Sequence, residues 1–177
     1  MFRQVLVPVE FSACGRLAAR HACEVVRAIG GTVTFLHVLE YSQPERRELG
    51  KRRELGRTLS EQARSEDVQL REAQLGEAQA QLRQLSLYAR RPPVCLVVPA
   101  QNGVAPVILD VAARVGAELI ILGLHRQDGV RQGRLGPVVQ QVLLGAGVPV
   151  QVTPNTDGQR SDDGWRGVLS GRLVDLI

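Results

Sequence analysis

The chain has 177 residues, 44% hydrophobic and 23% charged, enough for one domain with a substantial core and some appended material. Aromatic residues make up only 3% and the formal charge is +4, so stacking platforms for single-stranded nucleic acid are scarce and anions are attracted only mildly. No apolar run reaches the ~18 residues of a membrane span, and no nucleic-acid or membrane partner is expected.

The opening "MFRQVLVPVEF" reads as a strand and not as a signal peptide, because its apolar part is short and no cleavage site follows. Within it, "VLVPVEF" (5–11) is too continuously apolar for a strand with one wet face, which predicts a central parallel strand. Ser12 suits an N-cap. Leu17, Ala18, His21, Ala22, Val25, Val26 and Ile29 then recur at helical spacing, and Gly30-Gly31 closes the helix. "TVTFLHVLE" (32–40) is a second strand, completing a βαβ unit.

Residues 41–90 change character. Ten Lys/Arg face eight Asp/Glu, and "RRELGKRRELG" (46–56) is nearly a repeat. Charge balance of this kind reads as a solvated helical face and not as a basic nucleic-acid arm. Glu48–Arg52 and Asp67–Arg71 have the favourable i,i+4 order. Val68, Leu75, Ala78, Leu82 and Leu85 form an amphipathic stripe, which predicts a helix over 68–89 packed on the sheet. Residues 44–64 read as a further helix weakened by Gly50 and Gly56, or as an excursion.

Pro92-Pro93 ends that region. "VCLVVPA" (94–100), a short helix over 106–115, "AELIILG" (117–123), a helix over 137–144 and "VPVQVT" (148–153) follow. Strands alternating with helices imply a parallel sheet covered on both faces. A linker, "PNTDGQRSDDG", leads to a tail where Trp165, Leu169, Leu173 and Leu176 fall at helical spacing. The expected division is an α/β domain over 1–154 and a linker with an amphipathic tail over 155–177. The 41–90 region and the tail are candidate surfaces for a protein partner.

Cys14, Cys23 and Cys95 show no zinc or CxxC spacing, and an odd count reads as reduced thiols in a cytosol. Cys14, near a helix N-terminus, reads as a small residue in a tight loop. His21 and His37 read as packing residues on a helix and a strand, and His125 as a solvated loop residue.

Taken together, "VLVPVEFS", "FLHVLE", "PVILDVAARVGAELIILG" and "VLLGAGVPVQVTP" resemble, in order and spacing, the universal stress protein family. The resemblance covers 1–40 and 93–154. It implies a three-layer α/β sandwich of the Rossmann-like, adenine nucleotide alpha hydrolase-like kind, with five parallel strands in the order 3-2-1-4-5. In that order a ligand crevice opens between strands one and four. The resemblance implies nucleotide-binding positions at Pro8, Val9, Glu10, Val38, Leu122, Gly123, Arg126, Gly136, Pro137 and Val138. ATP-binding members carry G-2x-G-9x-G-(S/T) after strand four. Laid on this chain, that motif runs through Gly123, Arg126, Gly136 and Pro137, so two of its four positions have changed.

Arg126 brings a side chain where glycine allows close approach. Pro137 removes an N–H and a hydroxyl yet suits the first turn of a helix. Three arginines, Arg126, Arg131 and Arg134, against Asp128 offer a side-chain grip on phosphate instead. The expected function is that of a cytoplasmic, homodimeric, universal-stress-type regulatory protein. ATP or another adenine nucleotide is expected to bind weakly or not at all, with no metal beyond nucleotide-associated Mg. The resemblance implies dimerisation through strand 148–153. A nucleotide-hydrolysing or nucleotidyl-transferring enzyme on the same fold and a nucleotide-free interaction module are the alternatives; no catalytic residues are legible.

Overall fold

Five short runs rich in Val, Leu and Ile form the sheet: β1 (Gln4–Pro8), β2 (Thr32–Leu39), β3 (Val94–Pro99), β4 (Leu119–Leu124) and β5 (Val150–Pro154). The computed structural model describes residues 2–40, 61–100, 102–124 and 135–154. Every strand pair is parallel and the order is β3-β2-β1-β4-β5, as expected. The tail and residues 41–60 lie outside the described residues.

α1 (Ala13–Ile29) starts where Ser12 Oγ accepts from Gly15 N at 3.1 Å. It ends at Gly30, whose φ of 75° is the left-handed conformation glycine adopts without strain. α2 (Glu61–Leu85) runs into a single 3-10 turn over Ser86–Tyr88. α3 (Val104–Arg114) and α4 (Pro137–Gly145) follow β3 and β4.

Alternation along β1 divides the core in two. Val5 and Val7 pack with Phe35 beneath α1 and the last turns of α2, where Ala18, Ala22, Leu82 and Leu85 are buried. Leu6 packs on the opposite face with Leu36 and Ile120, beneath Ile108 of α3 and Val142 of α4. Each large side chain sunk this way contributes about 1.5–3 kcal/mol. The result is the three-layer sandwich anticipated from the pattern of elements.

Several boundaries differ from the sequence expectation. β1 stops at Pro8, although Val9 N still donates to Leu36 O at 2.8 Å. Phe11 then turns the chain with φ 59°. The apolar run 5–11 therefore outlasts the strand, with Val9 still buried beyond its end. α3 begins at Val104, with Pro106 inside its first turn, where no backbone donor is required. β5 begins at Val150; Pro149 joins the ladder only through its carbonyl, which accepts from Ile120 N at 3.0 Å.

The predicted stripe on α2 sinks only in its second half. Ala78, Leu82 and Leu85 are buried, whereas Val68 is 53% and Leu75 37% exposed. Geometry explains the split. A helix of 25 residues is about 37 Å long, and a strand of eight residues spans about 26 Å. The N-terminal part of α2 overhangs the sheet.

Candidate functional site

The strand order reverses direction between β1 and β4, so their C-terminal ends frame a crevice. Residues following β1 form one wall. The Val9 carbonyl accepts from His37 Nδ1 at 2.7 Å, which requires the proton on that nitrogen. The His37 ring also lies 4.3 Å from the Phe11 ring, centroid to centroid. Arg16 Nη1 donates to Phe11 O at 2.6 Å, fixing the left-handed turn from its far side. His37 thus holds the β1 exit in place, the packing role expected of it.

Glu10 is exposed at this exit. Its Oε1 accepts from Ser12 Oγ at 2.8 Å, and Ser12 in turn caps α1 through Gly15 N. The carboxylate therefore sits beside the positive end of α1, where negative charge is stabilised.

Gly123, at the end of β4, passes beneath the first turn of α1. A Cβ there would lie 2.7 Å from both the carbonyl carbon and oxygen of Cys14, and 3.0 Å from Gly15 N. The fold itself demands glycine at this position. Sequence reasoning missed this contact; its signal was the small pair Cys14-Gly15 directly after the cap. Opposite Gly123 in register stands Thr153 of β5, whose buried Oγ1 has no hydrogen-bond partner among the described residues.

The far wall is the start of α4. Gly136 is its N-cap with φ −61°, and among the described residues nothing lies within 4 Å of a Cβ built there. Unlike Gly123, Gly136 is not required by conformation or by packing. Pro137 occupies the first helical turn and is exposed, so the helix start presents backbone donors only from Val138 onward.

The remaining sequence-derived positions distribute as follows. Pro8 ends β1, and Val38 lies in β2 facing Val98. Val9 and Leu122 are each 4% exposed and belong to the two core layers. Val138 packs against the α3–α4 side. Arg126, with His125, Asp128, Arg131 and Arg134, lies outside the described residues. Among the described residues, no group of three or more His, Cys, Asp or Glu could hold a metal ion, and no helix is long and apolar enough to cross a membrane.

A family model, described as the universal stress protein family, matches residues 1–154. Solved structures agree on the fold. A universal stress family protein from Burkholderia pseudomallei is 18% identical, with a TM-score of 0.56, covering 86% of this chain and 96% of its own. A universal stress protein from Archaeoglobus fulgidus in complex with dAMP is 22% identical, with a TM-score of 0.53 and coverage of 86% and 97%. A universal stress protein in complex with cAMP is 12% identical, with a TM-score of 0.55 and the same coverages. No curated protein matches the chain.

Proposed function

The chain belongs to the universal stress protein family, and from that premise we propose that it is a regulatory protein whose crevice holds an adenine nucleotide weakly, without catalysing its turnover. The observation that carries this reading is Pro137 in the first turn of α4. The family motif has a Ser or Thr there, supplying an N–H and a hydroxyl to phosphate; proline supplies neither. Hydrogen bonds to charged groups contribute about 1.5–3 kcal/mol each, so losing two weakens binding about a hundredfold or more. Pro137 also keeps the helix start intact, which separates loss of ligand contacts from loss of fold.

Retention of the crevice is supported by Gly136, a glycine that neither its backbone angle nor packing among the described residues explains. The class of ligand follows from relatives solved with dAMP and with cAMP. The residual affinity proposed for the site is ascribed to the positive charge of Arg131 and Arg134 in the sequence between β4 and α4. Part of the same proposal is a cytoplasmic protein, because Cys14, Cys23 and Cys95 are all unpaired.

The homodimer proposed with it forms along β5, whose outer edge carries no strand among the described residues. Leu144, 89% exposed in the last turn of α4, would border that contact.

The test is restoration. Arg126→Gly combined with Pro137→Ser should tighten ATP binding at least about tenfold in equilibrium titration. An unchanged affinity in the double variant would remove the basis for the reading.

A further inference from the structure

A second cavity lies at the opposite end of the sheet from the crevice. It is about 280 Å³ in volume and is enclosed by the end of α1, the Gly30-Gly31 turn, the start of β2 and the segment 89–92. Arg27, Arg90 and Arg91 line it, and no lining residue is acidic or aromatic. Two arginines elsewhere are paired: Arg20 lies 3.8 Å from Glu24, and Arg114 lies 2.9 Å from Asp110. No ion pair among the described residues engages Arg27, Arg90 or Arg91.

We propose that this cavity is a binding site for a small multivalent phosphate anion. Three arginines in a lining without acidic residues offer charge and forked donors for phosphate oxygens. Pro92 and Pro93 restrict the backbone that carries Arg90 and Arg91, so the two arginines are presented by a stiffened segment. Cys23, also in the lining, adds no negative charge at neutral pH. Burial, with the nearby Glu24 carboxylate, pushes its thiol up to about 11. The volume falls just below the ~300 Å³ at which drug-sized ligand pockets begin, which favours a phosphate group over a whole nucleotide. Without aromatic rings the cavity has no platform for a base, so a free phosphate compound fits better than a nucleic-acid strand.

The probe is inorganic pyrophosphate, titrated calorimetrically into the full chain without nucleotide. Saturable binding is expected, weakening at least about tenfold in Arg90→Gln/Arg91→Gln and falling as salt is raised. In Arg126→Gln/Arg131→Gln/Arg134→Gln, which removes the arginines proposed to grip phosphate at the crevice, the binding that depends on Arg90 and Arg91 should persist. Amide NMR shifts on adding pyrophosphate to the unmodified protein should concentrate at Gly30, Gly31 and Ala89. The proposal is overturned if pyrophosphate fails to saturate by about 10 mM, if only the loop variant loses binding, if the amide shifts cluster around Gly136, or if an RNA oligonucleotide binds this face and pyrophosphate does not. Failure here leaves the crevice reading intact, because the two sites lie at opposite ends of the sheet.

Discussion

Two glycines at the crevice have different physical reasons to be there. Gly123 makes room for the Cys14 carbonyl, whereas no atom of the described residues crowds the Cβ position at Gly136. Gly123→Ala should therefore cost about 1–3 kcal/mol through forced backbone shifts, measured by urea denaturation. Gly136→Ala should lose less stability and act mainly on nucleotide affinity. The motif alignment located both glycines without separating them, because a spacing pattern does not reveal which neighbour presses on a Cα.

The cysteines also separate by environment. Cys95 is exposed, while Cys14 and Cys23 are buried, so Cys95 should react first with a thiol reagent and the others only on unfolding. Burial raises the Cys23 thiol from 9.0 to about 11. The folded state thus holds that proton more tightly than the unfolded chain. Its contribution to stability is present below 9.0 and is lost as pH rises towards 11. Denaturation midpoints should fall more steeply over that window in the unmodified protein than in Cys23→Ala. Equal slopes would show that Cys23 is not responsible.

At the scale of elements, apolar runs located all five strands and the helices between them, since periodicity reports burial directly. What they could not report was where pairing stops or how far a helix outruns the sheet. Val9 and Phe11 continue an apolar run past the end of β1, and Val68 continues a stripe where α2 is exposed among the described residues.

The edge strand gives a similar lesson. Val150 and Val152 alternate with Gln151 as if to present an apolar edge, yet both pack against the core beneath α3 and α4. Gln151 instead reaches α1, its amide donating to His21 Nε2 at 2.8 Å. Lysine at Val150 or Val152 would damage the core as well as any interface. Leu144 offers the cleaner test because it is 89% exposed. Leu144→Glu should convert a dimer to monomers in sedimentation with little change in denaturation midpoint. A persisting dimer would place the interface elsewhere.

For the whole molecule, the alternation of strands and helices dictated a parallel sheet covered on both faces. The strand order came from the resemblance to the universal stress family and is the order observed. Fold alone does not assign function; the proposed function rests on the crevice residues. On the proposed reading, Pro137 at the start of α4 withholds donors that the family motif offers to phosphate, while Gly136 keeps the approach open. The most direct test is equilibrium titration of the unmodified full chain with ATP and Mg. The account predicts a Kd weaker than about 10 μM, as expected when two phosphate hydrogen bonds are lost. Sub-micromolar ATP binding would contradict it.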